Sequence, residues 1–216
     1  MKIRNSGIIT IGVTGGIGSG KSEVCNILKE SGASIVSADD LAKEIMETNR
    51  EMKRKLVQAF GESVYLADGK LNRAHLAKII FFEDTSNRKI NAIVHPYVLR
   101  RIRQIIQKEK ARGQSAILVF EAALIYESGA DKMLDVVIVV DANEQGRIQR
   151  VMERDRVSRE EVLMRIKAQM APASTVRKAD FVIRNDGNLR ELESKVKFLF
   201  RLFMKMISST EGGRRS

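Results

Sequence analysis

Five short apolar segments indicate the strands of a parallel sheet. Strands covered on both faces carry continuous runs of apolar, often β-branched residues instead of an alternating pattern. Such runs occupy residues 8–13, 33–37, 116–120 and 136–140, with a weaker one at 181–184. A helical segment with apolar residues at Val24, Ile27 and Leu28 lies between the first two. A strand, a helix and a second strand in this order form a βαβ unit, which predicts a parallel α/β fold.

Residues 40–113 have helical periodicity and contain no convincing strand. Apolar residues recur there at helical spacing, at Leu41, Ile45, Leu56, Phe60, Leu76, Ile79, Ile80, Ile102 and Ile105. A helical block of this length is too long for a single crossover helix between parallel strands. We therefore expect a helical subdomain over residues 40–113, inserted into a core formed by residues 1–39 and 114–207.

The end of the chain predicts one more helix and a polar tail. An apolar stripe at helical spacing indicates core packing and consists of Leu192, Val196, Leu199, Phe200 and Phe203. Residues 208–216 are polar and rich in Gly and Arg, so we expect them to be disordered.

Composition and charge narrow the class of protein. The 216 residues are 44% hydrophobic and 30% charged, which is typical of globular domains. The sequence contains no run of 18 apolar residues, so no membrane span is predicted. One cysteine and two histidines leave no intrachain disulfide and no Cys/His metal cluster, which favours the cytoplasm. We expect Cys25 to be a small buried residue. The net charge of +11 favours anionic partners: nucleic acid, anionic membranes or phosphorylated metabolites.

Residues 15–22, Gly-Gly-Ile-Gly-Ser-Gly-Lys-Ser, match the phosphate-binding motif G-x-x-x-x-G-K-[ST] at every fixed position. The motif follows a predicted strand and opens a predicted helix. Glycines let backbone N–H groups approach phosphate oxygens, and the helix N-terminus adds partial positive charge. Lys21 is expected at the β- and γ-phosphates of ATP, and the Ser22 hydroxyl at Mg²⁺. The predicted ATP-binding residues are Gly15, Gly16, Ile17, Gly18, Ser19, Gly20, Lys21 and Ser22.

Such a loop occurs in GTPase switches, in ATP-driven motors and in kinases. No Asn-Lys-x-Asp guanine motif follows a later strand, and no second glycine-rich signature of a transporter ATPase is present. The chain is short, and its helical insertion is placed to hold a second substrate. These features favour a small-molecule kinase that uses ATP and Mg²⁺.

Carboxylates follow two of the predicted strands, where a kinase needs groups that orient the acceptor hydroxyl. Asp39 and Asp40 follow the second strand, and Glu121 follows the third. Catalysis by Asp39 competes with a structural alternative, an N-cap of a helix that starts near Leu41. Because a carboxylate after a buried strand needs a partner, Glu121 suits the Mg²⁺ shell or a substrate contact.

Basic residues follow the fourth predicted strand, on a predicted helix. We interpret most of them as solvated surface charge, and they are Arg147, Arg150, Arg154 and Arg156. A polar stretch over about residues 154–173 is interpreted as a lid that closes over ATP. An arginine carried by such a lid offsets charge on the phosphoryl group in transfer.

These residues together resemble the dephospho-CoA kinase family over nearly the whole chain. The extended loop of residues 11–22 is more specific than the general motif, and Ser37-Ala38-Asp39 stands where the family usually has Asp-Ala-Asp. Two departures are Ser37 for the first Asp and Ala123 for a common Pro. The other similar segments are residues 68–73, 95–96, 121–127, 154–155 and 179–180, together with Gln169 and Asn185.

The resemblance implies a doubly wound P-loop sheet with a helical substrate insertion and a lid. It implies ATP-dependent phosphorylation of the ribose 3′-hydroxyl of dephospho-CoA, giving CoA and ADP. It makes Asp39 the general base and Arg154 the lid arginine, both catalytic together with Lys21. It makes Asn185 a nucleotide contact. The implied substrate-binding residues are Asp39, Arg73, His95 and Glu121. His95, which precedes Pro96, also fits a structural role at a loop or helix start.

Two alternatives stay open. One is a P-loop kinase that phosphorylates a nucleoside or nucleotide. The other is a nucleic-acid-binding protein that uses ATP as a switch, suggested by Arg100, Arg101, Arg103, Lys108, Lys110 and Arg112. No aromatic stacking motif accompanies these residues, so we expect neither a nucleic-acid nor a membrane partner. The sequence leaves the oligomeric state open.

Overall fold

The predicted strands form one five-stranded parallel sheet in the computed structural model. The strands are β1 (Ile9–Thr14), β2 (Ser34–Ser37), β3 (Ile117–Glu121), β4 (Val136–Asp141) and β5 (Phe181–Arg184). Their order across the sheet is β2-β3-β1-β4-β5, so β1 lies between β3 and β4. Every residue of β1 is buried, as continuous apolar runs in parallel strands predict. The prediction of a parallel α/β fold is therefore confirmed.

The helices connect these strands and form the inserted segment. They are α1 (Lys21–Glu30), α2 (Ala38–Thr48), α3 (Arg50–Phe60), α4 (Arg73–Phe82), α5 (Asp84–Arg112), α6 (Ile125–Ser128), α7 (Glu144–Asp155), α8 (Arg159–Lys167), α9 (Pro172–Lys178) and α10 (Leu189–Gly212). Short 3₁₀ turns lie at Glu62–Val64 and Ala130–Met133. None of the helices, within the residues described below, is long and apolar enough to cross a membrane.

The structure describes residues 7–82, 84–113, 116–167 and 172–212. The chain divides into two compact units, a smaller one of Ala38–Ile105 and a larger one of Met1–Ser37 with Ile106–Ser216. The boundary at Ile105 falls inside α5. Because α5 continues through this point as one helix, the spacing of its apolar residues does not indicate where one unit ends and the other begins.

The core of the larger unit lies between the sheet and helices α1 and α10. Leu28 of α1 and Phe203 of α10 are fully buried in this core, and the rings of Phe203 and Phe181 meet edge to face at 5.4 Å. Fully burying one such side chain contributes about 1.5–3 kcal/mol. The predicted stripe of α10 is the face that packs here, so that prediction is confirmed.

Helix α10 continues further than the sequence predicted. It reaches Gly212, so residues 208–212 are helical where we expected disorder. The hydroxyls of Ser208 and Ser209 donate to Lys205 O at 3.0 and 2.8 Å. These polar side chains, which follow the buried Ile207, therefore find hydrogen-bond acceptors within the helix itself. Residues 213–216 of the predicted tail lie outside the described chain.

In the smaller unit, the segment before α4 is held by its own polar side chains. Gly69 has a left-handed φ of 80°, and Lys70 N donates to Asp68 Oδ1 at 3.0 Å. His75 N donates to Asn72 Oδ1 at 3.1 Å, so Asn72 caps the start of α4. The segment of residues 68–73, singled out from the sequence, therefore forms a defined turn followed by a capped helix.

Two structural alternatives drawn from the sequence are wrong. Helix α2 begins at Ala38, directly after β2, so Asp39 and Asp40 lie in its first turn and neither is an N-cap of a helix starting near Leu41. Acidic side chains in a first turn complement the helix dipole, which favours this earlier start. Pro96 lies inside α5, so His95 holds neither a loop nor a helix start.

Candidate active site

The phosphate-binding loop connects the central strand to α1. Thr14 ends β1, and Lys21 is the first residue of α1. Ser19 N donates to Gly16 O at 3.1 Å, which closes a tight turn between them. The loop therefore lies at the carboxyl end of the sheet, where ligands of open α/β sheets bind.

Lys21 lies over the loop that precedes it. Its Nζ donates to Gly15 O at 2.9 Å and to Gly16 O at 3.3 Å. The ammonium group is therefore held beside the backbone that is expected to surround the phosphates. A mobile lysine in this position can exchange carbonyl oxygens for phosphate oxygens.

Ser22 and Glu121 meet at the same edge of the sheet. Ser22 Oγ donates to Glu121 Oε1 at 2.9 Å, and Glu121 is the last residue of β3, opposite Val13 of β1. Hydroxyl and carboxylate oxygens are the hard ligands that Mg²⁺ prefers. Among the described residues no cluster of three His, Cys, Asp or Glu side chains could hold a metal.

Cys25 lies one helical turn after Ser22 and is only 3% exposed. Burial, and after it the neighbouring Glu121 carboxylate, raises the pKa of the Cys25 thiol above its ordinary value. The thiol therefore stays protonated and packs as a small apolar group. The sequence-based expectation of a buried cysteine is confirmed.

Three side chains from outside the motif donate to carbonyl oxygens of the loop. Asn185 Nδ2 donates to Ser19 O at 2.9 Å. Arg150 donates to Gly18 O at 3.2 Å and to Asn185 O at 2.9 Å, and Arg147 Nε donates to Ile17 O at 3.0 Å. The structure thus brings the predicted Asn185 to the loop, together with two arginines that the sequence did not single out for this role.

The interpretation of the α7 arginines as solvated charge is wrong for Arg147. Its side chain is buried, with 4% of the residue exposed, and it shares the buried face of α7 with Ile148 and Val151. The positions 147, 148 and 151 follow helical spacing. An arginine on the apolar side of an amphipathic helix was therefore the signal that could have identified it.

Two of the loop glycines pack directly against side chains that hold the loop. A Cβ at Gly16 would lie 2.6 Å from Cζ of Arg147. A Cβ at Gly20 would collide with Nδ2 of Asn185, and Gly20 also has a left-handed φ of 96°. A side chain at either position would have to displace a residue that holds the loop, and at Gly20 it would also adopt a left-handed backbone.

Arg154 lies in the last turn of α7, and its guanidinium pairs with the carboxylate that follows it. Its Nε and Nη2 donate to Asp155 at 2.7 and 3.1 Å, and Arg165 of α8 donates to the same carboxylate at 2.8 Å. Hydrogen bonds from Arg154 hold the pKa of Asp155 below its usual range. In this structure the predicted lid arginine is therefore paired within the predicted lid, of which residues 168–171 lie outside the described chain.

The predicted catalytic and substrate-binding residues Asp39, Arg73 and His95 belong to the smaller unit. Asp39 lies two residues after the end of β2. Arg73 is exposed and its Nη2 lies 3.7 Å from Glu47 Oε1. His95 is half-buried, and this burial lowers the pKa of its imidazole.

Three features define a P-loop nucleotide-binding protein of the kinase type. They are the order of the strands in the sheet, the G-x-x-x-x-G-K-[ST] loop after the central strand, and the Ser22–Glu121 pair beside this loop. The family model of dephospho-CoA kinase matches residues 9–191, which is well over half of the chain. The chain therefore belongs to the dephospho-CoA kinase family, and the resemblance seen in the sequence is confirmed.

Individual relatives agree with this assignment. The dephospho-CoA kinase of Salinibacter ruber is 40% identical over 191 residues, which cover 88% of this chain and 96% of that protein. A solved structure from Thermus thermophilus is 33% identical with a TM-score of 0.73, and covers 90% of this chain and 97% of that one. Dephospho-CoA kinase from Campylobacter jejuni is 26% identical with a TM-score of 0.66, covering 89% and 95%.

Proposed function

We propose that this chain transfers the terminal phosphoryl group of ATP to the ribose 3′-hydroxyl of dephospho-CoA, giving CoA and ADP in the last step of coenzyme A biosynthesis. The observation that carries the proposal is the convergence of Lys21 with the Ser22–Glu121 pair beside the phosphate-binding loop. Membership of the dephospho-CoA kinase family supplies the acceptor.

The loop and Lys21 bind the ATP phosphates. Backbone N–H groups at the start of α1 face negative charge favourably, and Lys21 is held next to Gly15 and Gly16, ready to exchange their carbonyls for phosphate oxygens. Ser22 and Glu121 would hold Mg²⁺ through their oxygens. A bound Mg²⁺ would supply charge neutralisation for the phosphates.

We assign the acceptor side of the reaction to Asp39, Arg73, His95 and Arg154. Asp39 would accept the proton of the 3′-hydroxyl, supported by its place two residues after β2, whose last residue Ser37 lies opposite Glu121. Arg73 and His95 would contact dephospho-CoA. Arg154 would leave Asp155 and neutralise the phosphoryl group when the lid closes. The proposed location is the cytoplasm.

An acceptor panel tests the proposal. ADP release is measured with ATP and Mg²⁺ against dephospho-CoA, adenosine, AMP and a set of nucleosides. Turnover with dephospho-CoA alone is the expected result. Turnover with a nucleoside instead would retain the kinase chemistry but refute the acceptor, and would direct attention to Ser37.

A further inference from the structure

Arg147 is a buried cation beside the phosphate-binding loop that the proposed chemistry has not used. It is 4% exposed, and its hydrogen bond within the described residues runs from Nε to Ile17 O. An ionised group removed from water is costly unless it is paired or fully hydrogen-bonded. None of the ion pairs formed within the described residues includes Arg147. One bond to a carbonyl leaves most of this guanidinium's donors unused.

Arg150 provides an instructive contrast. Its two terminal nitrogens are both occupied, by Gly18 O and Asn185 O. Arg147 instead uses Nε for the loop, so its terminal Nη1 and Nη2 groups are the ones without an acceptor in the described residues. If Arg147 only stabilised the loop through Nε, burying two further N–H groups without acceptors in the described residues would be an unfavourable arrangement.

Arg147 lines a cavity of the larger unit. This cavity, of about 30 Å³, is lined by Thr14, Gly15, Gly16, Asp141 and Arg147 among others, so it lies at the carboxyl ends of β1 and β4 and against the loop. The Arg147 guanidinium lies on Gly16, close enough that a Cβ there would be 2.9 Å from Nη1 and 2.6 Å from Nη2. Two planar N–H donors beside a phosphate-binding backbone match the oxygen geometry of a phosphoryl group.

Negative groups also face this cavity and bear on its ligand. Asp141 and Glu127 both line it. Neither forms an ion pair with Arg147 among the described residues. Carboxylates repel an anion, so phosphate oxygens are expected on the side of the loop and the guanidinium, where Lys21 Nζ is held against Gly15 O and Gly16 O.

We propose that Arg147 is a further phosphate-binding residue, whose terminal Nη groups donate to non-bridging oxygens of the nucleotide's phosphates beside Gly15 and Gly16. The proposal rests on the proposed function, since it deepens how ATP is held. It gives the loop a second, fixed cation in addition to the mobile Lys21, delivered from α7 and locked by the bond to Ile17 O. The phosphoryl group then meets positive charge from two directions.

Binding measured by calorimetry without an acceptor tests this inference. Arg147→Gln retains a donor for Ile17 O but removes the charge and the fork, and Arg201→Gln removes one exposed charge from α10 as a matched control. We expect Arg147→Gln to weaken inorganic pyrophosphate and ADP roughly ten- to hundredfold, because hydrogen bonds between charged groups are the strong ones. Adenosine affinity should be unchanged, and the control should bind all three ligands as wild type does.

Equal pyrophosphate affinity in Arg147→Gln and wild type would overturn the proposal, as would an equal loss for adenosine, which would indicate a misfolded loop. If Arg147→Gln does not fold, ¹⁵N spectra of arginine side chains in the wild type decide the matter, with Arg147 assigned through Arg147→Lys. Pyrophosphate should shift the Arg147 resonance, and an unshifted resonance at saturation would refute the contact. Failure of the proposed function is distinguished by the wild-type acceptor panel, which does not involve these variants.

Discussion

Replacing Gly20 with alanine tests how tightly the loop is built. Gly20 caps α1 with φ 96° and ψ 25°, and its Cα faces the Asn185 amide. A Cβ in this left-handed region costs about 1–2 kcal/mol. Displacing Asn185 also breaks its hydrogen bond to Ser19 O, worth about 0.5–1.5 kcal/mol.

These costs give the expected loss of stability. Alanine restricts the unfolded chain more than glycine does, which returns about 0.4–1 kcal/mol. The net destabilisation is therefore about 2 kcal/mol. For a chain of this size each kcal/mol lowers Tm by about 2–4 °C, so Gly20→Ala should unfold about 4–8 °C below wild type.

Thermal unfolding and nucleotide titration together provide the assay. Gly20→Ala should also bind ADP more weakly, because the displaced loop no longer presents its N–H groups in one place. Asn185→Ala serves as the comparison, since it loses the hydrogen bond but adds no strain and should cost only about 1 kcal/mol. A Gly20→Ala protein with wild-type Tm and wild-type ADP affinity would refute the packing argument.

Three further predictions concern single residues. Lys21→Ala should lower kcat at least about 10²-fold while circular dichroism and Tm stay near wild type, and a rate near wild type would contradict its role. Asp39→Asn should lower kcat by about 10²–10⁴, the usual effect of losing a general base; unchanged turnover would mean that the base lies elsewhere. Cys25 should resist a thiol reagent in native buffer and react once in denaturant, because it is 3% exposed and its pKa is raised by burial; rapid native labelling would show that α1 opens.

The strands were predictable because their environment leaves a direct trace in the sequence. A strand covered on both faces buries its residues at every position, and all six residues of β1 are buried. Its two polar residues, Thr10 and Thr14, donate their hydroxyls to Asp135 Oδ2 and to Ala123 O. The order of the strands leaves no such trace, since it depends on where each crossover connection returns. The pairing of Val13 with both Glu121 and Ile138 could therefore be learned only from the structure.

The site was predictable where chemistry imposes residue types. The phosphate-binding loop needs glycines, a lysine and a hydroxyl at fixed spacing, and Glu121 was conspicuous as a carboxylate after an apolar run. Arg147 was missed because a charged residue in a helix is usually solvated, and only the burial of neighbouring Ile148 and Val151 reveals its side of α7. The sequence predicted a helix starting near Leu41, whereas α2 starts at Ala38. Because β2 passes into α2 without a loop, no turn residue marks the boundary between the strand and the helix.

The most direct test of the central claim is the position of the phosphate on the product. The chain is incubated with γ-labelled ATP, Mg²⁺ and dephospho-CoA, and the labelled product is examined by ³¹P NMR and by comparison with authentic CoA. We expect a single new monophosphate ester, at the ribose 3′ position, and one ADP for each CoA formed. Label at the 2′ position, on another group, or released as inorganic phosphate would contradict it.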